Sequence, residues 1–281
     1  MSRHWRLILL CVVVSAAALA AACAPSPQAT PTPGVAPSEE PKYGGALRVV
    51  HSGGRTSAGA IIDPPGWDPH KSAAAGTQYA LNMVHSKLLQ FPKGPQVKAS
   101  DYSLVGDLAK NWEYTTPTRL VMRLHEGVRF HDRPPVNGRE LTSEDVKFTF
   151  ERLKKVATFT AYLYEEVQAI DTPDKYTVVF NLRAPDSGLL MAFASHFTSI
   201  IAKEAGGPEQ DWTKKETAIG SGPWMLKETV VGSYHRCVRN PTYFRKDLPY
   251  ADEVYMPIIQ DDSARLAAFR AGQLDIMYGL E

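Results

Sequence analysis

A cysteine and a histidine late in the chain are the first residues whose types and spacing could carry chemistry. Cys237 lies two residues after His235 in the run YHRCVRN. Residues two apart on a strand share a face, so the thiol and the imidazole could form a nucleophile and its base. The neighbouring sequence supplies neither an oxyanion hole nor a third group to orient the histidine. We therefore interpret Cys237 as a small buried residue.

A serine in the run GSGPW is the second candidate nucleophile. Ser221 is followed by Gly222 and Pro223, so the run lacks the Gly-x-Ser-x-Gly arrangement that exposes a catalytic serine on a sharp turn. The sequence also contains no glycine-rich phosphate loop and no His-Glu-x-x-His motif. These observations predict a protein that is not an enzyme and that needs no cofactor, with a secreted hydrolase as an alternative.

Histidines are the candidate metal ligands. His125 and His131 form the closest pair outside the N-terminal run, six residues apart, and Asp132 follows them. That spacing matches neither a helical nor a strand pair of ligands, and no cysteine joins the group. We predict no metal site, and we interpret His131 and Asp132 as turn residues.

A second cysteine of interest has a different setting, at the end of an apolar N-terminal run. Residues 7–22 are apolar or small, and basic residues precede them. Sixteen such residues are fewer than the roughly 20 that span a bilayer, and the pattern is typical of an export signal. Cys23 follows directly, in LAAAC.

This run resembles the lipobox of bacterial lipoproteins, in which the cysteine receives a diacylglyceryl group and becomes the first residue. Leu19 stands four residues before Cys23, whereas the lipobox pattern places its leucine three before. The resemblance implies a signal peptide at 1–23 and lipid attachment at Cys23. Plain secretion after Ala22 is the alternative.

The segment that follows predicts a spacer and then a folded region. Residues 24–41 contain six prolines and few side chains that could enter a core, which is typical of an extended linker. Beyond it, Cys237 is the single cysteine, so no internal disulfide can form there. The 31 Lys and Arg balance 30 Asp and Glu without a basic cluster, which argues against a nucleic-acid partner.

Hydrophobic periodicity predicts a mixed α/β fold for residues 42–281. Alternating apolar residues indicate strands, and apolar residues three or four apart indicate helices. A strand–helix–strand unit late in the chain predicts parallel pairing with a right-handed crossover. The predicted strands are 44–54, 119–124, 175–182, 253–260 and 274–280, and the predicted helices are 77–91, 141–153 and 261–272.

Eight motifs occur in an order that resembles one protein family. They are GGALRVV, WDPHKS, DLAKNWEY, LHEGVRFHD, LTSEDVKFTFER, GSGPWML, NPTYF and LPYADEVYMPIIQDDSARLAAFRAGQLDI. Together, over residues 44–276, they resemble the oligopeptide/nickel-binding family of extracytoplasmic solute-binding proteins of bacterial ABC importers. The run RPPVNGRE at 133–140 departs from the family pattern, and its prolines and Asn-Gly predict a longer surface turn.

The resemblance implies a periplasmic-binding-protein-like Venus flytrap, in which two lobes close on a ligand. It implies a discontinuous first lobe from 42–65 and 198–281, with 66–197 forming the domain that the family inserts beside it. The second lobe of the family has no counterpart in this sequence. We expect the ligand to lie in the cleft that the first lobe borders.

The resemblance also implies a function and site residues. By family precedent the protein would capture a solute, with a peptide as the expected class, outside the cytoplasm and deliver it to the membrane permease subunits of an ABC importer. It would be lipid-anchored, in the periplasm or on the outer face of the cytoplasmic membrane. The alternatives are nickel chelates or oligosaccharides as solutes, or a structural surface lipoprotein.

Two groups of site residues follow from the family pattern. The stretch after DPHK lies along the ligand in the peptide binders, and here it is Ser72, Ala73, Ala74 and Ala75. Small side chains there let a ligand backbone approach in strand-like pairing, although a loop could simply tolerate alanine. Ser221 and Trp224 would line the cleft wall near the hinge, or GSGPW could be a strand-entry turn whose tryptophan fills the core.

Overall fold

The computed structural model describes residues 40–50, 54–55, 61–62, 66–71, 75–94, 96–98, 100–157, 160–207 and 210–277. In chain order its elements are β1 (Ala46–Arg48), β2 (Gly54–Arg55), β3 (Ile61–Ile62), α1 (Ala75–Val84), β4 (Leu89–Gln90), β5 (Val105–Gly106), β6 (Ala109–Thr116), β7 (Arg119–Leu124), α2 (Ser143–Val156), β8 (Val167–Asp174), β9 (Thr177–Leu182), α3 (Leu189–Ala194), β10 (Trp224–Val230), β11 (Tyr234–Arg239), β12 (Glu253–Pro257) and α4 (Asp262–Arg270). Among these residues, no helix has the length and apolar character that crossing a membrane requires.

One four-stranded sheet joins segments from far apart in the chain, in the order β1-β12-β11-β10. β1 runs parallel to β12, and β12, β11 and β10 are antiparallel neighbours. On the other side of β1, Val49 forms a parallel bridge with Ile276. The parallel direction predicted for the unit of β12, α4 and the segment after it is therefore confirmed at Ile276, with β1 lying between β12 and Ile276. Residues 278–280 of the predicted last strand are outside the described residues.

Helix α1 packs with this sheet in one of two apolar cores. The core combines residues from before α1, from α1 and from three strands, because each presents one apolar face. Its buried members are Trp67, Ala80, Leu81, Val84, Ala218, Trp224, Leu226, Cys237, Val254 and Met256. Trp67 also packs edge-on against His235, with 5.5 Å between the ring centroids.

A second four-stranded sheet, in the order β6-β7-β9-β8, is antiparallel throughout and built from neighbouring segments. The alternation predicted for 119–124 is confirmed, since Leu120, Met122 and Leu124 are all buried. This face packs in the larger apolar core, which also contains Phe150 of α2. Phe150 makes edge-to-face contacts with Tyr164, Phe180 and Phe193, at centroid distances of 5.3, 5.2 and 5.0 Å.

Helix α2 begins where the sequence predicts. Thr142 is its N-cap, and the Thr142 backbone N–H donates to the Asp145 carboxylate at 3.0 Å, as in a capping box. Asp145 is fully buried, and Arg139 donates to both of its oxygens. The predicted turn at 133–140 thereby anchors the start of α2, with Asn137 in the left-handed region at φ 52°.

Helix α1 is shorter than predicted and ends at Val84, not near residue 91. His85 turns its Nδ1 back to the Leu81 carbonyl at 3.0 Å, and Leu89 then pairs with Gly106 as part of β4. The apolar residues that predicted one longer helix divide between two cores, since Ala80 and Val84 lie in the smaller core and Leu88 lies in the larger one. Tertiary pairing decided the boundary.

Contacts group Lys42–Glu281 into one compact unit. The boundaries predicted at residues 65 and 197 remain predictions.

Candidate functional site

The stretch predicted to lie along the ligand, Ser72 to Ala75, is called the strip, and Ala75 is the one residue of it that the structure describes. Ser72, Ala73 and Ala74 lie outside the described residues, as does Cys23, and Ala75 is the first residue of α1. The six residues before the strip, 66–71, and the helix after it are both described. The site can therefore be built from the two described parts that flank the strip in sequence: residues 66–71, and α1 with the turn that contacts its end.

The first support is a buried ion pair. Arg152 of α2 binds the Asp68 carboxylate with both terminal nitrogens, Nη1 to Oδ1 at 3.0 Å and Nη2 to Oδ2 at 2.7 Å. Asp68 is 5% exposed and Arg152 is 9% exposed. Burial alone would raise the pKa of Asp68, but the hydrogen bonds and charge of Arg152 outweigh it and the pKa is lowered. A two-point, buried contact of this kind fixes direction as well as position.

His70 completes this support with both ring nitrogens engaged. Its Nε2 donates to the Ser199 carbonyl at 2.8 Å, and its Nδ1 accepts from Arg152 Nη1 at 2.7 Å. Burial and then the charge of Arg152 lower the pKa of His70 to about 3, so the ring is neutral at pH 7. Because neither nitrogen is available, His70 positions the chain and is unsuited to proton transfer.

Two tryptophans, Trp67 within this segment and Trp212 beyond it, also hold the segment in place. The backbone N–H of Trp67 donates to the Trp212 carbonyl at 2.6 Å, and the Trp67 side chain is buried in the smaller core. The Trp212 ring lies under the Arg152 guanidinium, 5.0 Å from its centroid. Residues 66–71 are thus held by backbone, ionic and aromatic contacts directly before the predicted strip.

The second support is the GSGP turn at the other end of α1. The backbone N–H of Gly222 donates to the Val84 carbonyl at 2.9 Å. A Cβ on Gly220 would lie 2.1 Å from the same carbonyl oxygen, so glycine is required for this close approach. His131 reinforces the turn: its N–H donates to the Gly220 carbonyl at 2.8 Å and its Nε2 donates to the Gly222 carbonyl at 3.2 Å.

The two predicted residues of this turn have different settings. Trp224 is 8% exposed and belongs to the smaller core, which supports the core-filling interpretation of GSGPW. Ser221 is 1% exposed, and its hydroxyl has no hydrogen-bond partner among the described residues. A buried hydroxyl without a partner is uncommon and calls for an explanation. Ligand contact by Ser221 and Trp224 remains a prediction.

Cys237 and His235 form the candidate nucleophile–base pair of the sequence. Burial raises the pKa of Cys237 to about 12, so its thiol stays protonated at pH 7. The Nδ1 of the neighbouring His235 lies 2.7 Å from the Thr229 hydroxyl. Within the described part of the chain, no group of three or more His, Cys, Asp or Glu residues is placed to hold a metal ion.

Sequence reasoning missed the residues that support the strip from a distance. Arg152 and Ser199 are 84 and 129 residues from their partners Asp68 and His70. The sequence did contain one signal for Arg152. An arginine flanked by the buried stripe residues of an amphipathic helix calls for a buried acidic partner, because an unpaired buried charge is costly.

Comparison with known proteins shows which family and which relatives the chain resembles in sequence. Over residues 103–281 the chain matches the family described as bacterial extracellular solute-binding proteins, family 5 (Middle). It is 29% identical over 223 residues to the probable D,D-dipeptide-binding periplasmic protein DdpA of Escherichia coli, covering 78% of this chain and 42% of that protein. It is 27% identical over 281 residues to the oligopeptide-binding protein AppA of Bacillus subtilis, covering 97% of this chain and 48% of AppA.

Solved structures agree on the fold. The structure of Bacillus subtilis AppA in complex with a nonapeptide superposes with a TM-score of 0.68 at 26% identity, over 84% of this chain and 44% of AppA. The periplasmic binding protein DppA of Helicobacter pylori, in complex with the peptide STSA, gives a TM-score of 0.69 at 23% identity, over 85% of this chain and 47% of DppA. The chain thus has the fold of periplasmic binding proteins and spans less than half the length of these relatives.

Proposed function

The chain belongs to the bacterial extracellular solute-binding proteins of family 5, and from that premise we propose that it captures a peptide outside the cytoplasm for an ABC importer. The family match over residues 103–281 is the observation that carries this proposal. The printed names of its relatives support the peptide, since DdpA is described as D,D-dipeptide-binding and AppA as oligopeptide-binding. The permease subunits of the importer would be the second partner.

The proposed ligand contacts are the strip Ser72, Ala73, Ala74 and Ala75, together with Ser221 and Trp224. The rigid mounting of residues 66–71 by Arg152 supports the strip, because a backbone that pairs with a ligand must be held in place. The buried, unpartnered hydroxyl supports Ser221 as a donor or acceptor for the solute or a bridging water.

Titration calorimetry on the full chain tests the solute class. We expect heat of binding with short peptides and none with nickel chelates or oligosaccharides at equal concentration. Binding of a nickel chelate or an oligosaccharide without any peptide binding would contradict the peptide assignment and favour the corresponding alternative. Turnover of the bound peptide would instead favour a secreted hydrolase.

We also propose that Cys23 carries a lipid that anchors the protein to the membrane from outside the cytoplasm. An apolar run that ends at a single cysteine, followed by a proline-rich spacer, supports this anchor. Cys23→Ser should move the protein from the membrane fraction to the soluble fraction. Cys11→Ser, within the apolar run, is the matched control and should leave it in the membrane fraction. An unmodified Cys23 in the intact mass of the native protein would contradict the proposal.

A further inference from the structure

A groove opens beside the ion pair that supports the predicted strip. It has a volume of about 630 Å³, within the range of roughly 300–1,000 Å³ that small-molecule sites occupy. Its walls come from the segment before the strip, from α2, and from residues 206–207 and 210–212. The lining residues are Lys71, Phe148, Glu151, Arg152, Lys155, Val156, Gly206, Gly207, Gln210 and Trp212.

The groove has an apolar lining that includes Phe148, Val156 and Trp212. Glycine at 206 allows the Phe148 ring to lie directly on the backbone, since a Cβ there would be 2.4 Å from a ring carbon. Trp212 is half-buried and is held against Arg152. The lining therefore offers preformed aromatic and aliphatic surface to a hydrocarbon chain.

The charges around this surface favour an anion. Lys71 and Lys155 are exposed and line the groove from two different segments, and Glu151 is the one acidic residue among the lining residues. Arg152 adds no net charge, because Asp68 already neutralises it. Two lysines against one glutamate leave a positive balance around an apolar surface.

We propose that this groove is a subsite for an acidic side chain of the solute, with the hydrocarbon on the aromatic wall and the carboxylate near Lys71 and Lys155. The inference rests on the peptide-binding function proposed above. Lys71 lines the groove and directly precedes Ser72 in the chain, so a peptide that contacts Ser72 would come close to the groove. Its side chains alternate between two sides, and one side would face the groove.

Two peptides that differ in one charge test the subsite. The pentapeptides Ala-Ala-Glu-Ala-Ala and Ala-Ala-Gln-Ala-Ala have central side chains of nearly equal size, so a difference in affinity reports the carboxylate. For the full chain at low salt, we expect calorimetry to give tighter binding of the glutamate peptide by roughly fivefold, the scale of one exposed ion pair. The ratio should fall towards one in 0.5 M salt, because screening weakens such a pair.

Charge-reversal variants assign the preference to this groove. Lys155→Glu and Lys71→Glu should each reduce the glutamate-to-glutamine affinity ratio to one or below. Lys110→Glu reverses an equally exposed lysine on β6, away from the groove lining, and should leave both affinities unchanged. Lys155→Gln provides a milder variant should the reversal impair folding, and circular dichroism checks each variant.

The possible outcomes separate the subsite from the function on which it rests. Equal affinity of the unmodified chain for both peptides would overturn the subsite and leave peptide binding standing. A preference that survives in both Lys155→Glu and Lys71→Glu would place acid recognition elsewhere and also overturn it. Absence of binding by either peptide would contradict the proposed function itself, and the subsite with it.

Discussion

Arg152 holds the segment before the predicted strip through a guanidinium group that solvent scarcely reaches. Arg152→Met would leave Asp68 buried without its counter-charge, which costs about 3–5 kcal/mol in comparable pairs. We expect a loss of that order in the free energy of unfolding, measured by urea denaturation. Arg183→Met, at an exposed pair with Glu166, is the control and should cost less than about 1 kcal/mol. Equal losses for the two variants would contradict a special role for Arg152.

Ser221 allows a structural role to be separated from a binding role. Its hydroxyl has no hydrogen-bond partner among the described residues, so Ser221→Ala removes no hydrogen bond from the fold described here. The free energy of unfolding should therefore stay the same or rise slightly. If Ser221 contacts the solute, peptide affinity should fall by about tenfold, since a hydrogen bond contributes up to about 1.5 kcal/mol. Calorimetry on the full chain measures this, and unchanged affinity would exclude Ser221 from the site.

At the scale of elements, the contact between the GSGP turn and the end of α1 leaves no room for a side chain. Gly220→Ala would place a methyl group 2.1 Å from the Val84 carbonyl oxygen, so the turn or the helix must move. We expect a loss of about 1–3 kcal/mol in the free energy of unfolding, as overpacking typically costs. Gly207→Ala, where a Cβ meets nothing within 4 Å, should be within about 0.5 kcal/mol of the unmodified chain. Similar stability of both variants would contradict the close contact.

Local sequence signals predicted the elements that local forces determine. Apolar spacing over 141–153 predicted α2, and alternation in 119–124 identified β7 and its buried face. The end of α1 could not be predicted in this way, because Leu89 leaves the helix to pair with Gly106, a residue brought beside it by the fold. Helical spacing of apolar residues does not distinguish one long helix from a helix followed by a buried strand.

In the candidate site, too, contiguous motifs could be proposed from the sequence, whereas contacts between distant segments could not. The motif after DPHK and the GSGPW run were found from sequence because each is contiguous. The Arg152 contacts to Asp68 and His70 depend on α2 lying against residues 66–71, and no spacing along the chain encodes that placement.

At the scale of the whole molecule, three buried histidines predict how stability depends on pH. Burial lowers the pKa of His70 to about 3, of His85 to about 4 and of His131 to about 3, whereas each would be near 6.5 in the unfolded chain. Above pH 6.5 both states are neutral at these sites and stability is fully present. Between pH 6.5 and about 3–4 the unfolded chain binds more protons, so stability is lost as pH falls.

Thermal melting between pH 7.5 and 4.5 measures this dependence. Three independent histidines would give a slope of up to about 4 kcal/mol per pH unit near pH 5. His85→Leu removes one of the three histidines and should therefore reduce the slope by about a third. His85 is chosen because its Nε2 has no hydrogen-bond partner among the described residues that the substitution would remove. An unchanged slope in His85→Leu would show that His85 is not held neutral in the folded protein.

The position of β1 between β12 and Ile276 has a consequence for the order in which the protein folds. The Arg48 backbone N–H donates to Asp275, 227 residues later, so β1 must wait for most of the chain before its neighbours exist. At about 5–20 residues per second, ribosomal synthesis alone imposes a delay of roughly 10–45 seconds. All four strands of the sheet of β6, β7, β9 and β8 lie before residue 183, so their hydrogen bonds can form first. Until residues 253–276 have been made, β1 therefore has neither of its sheet neighbours.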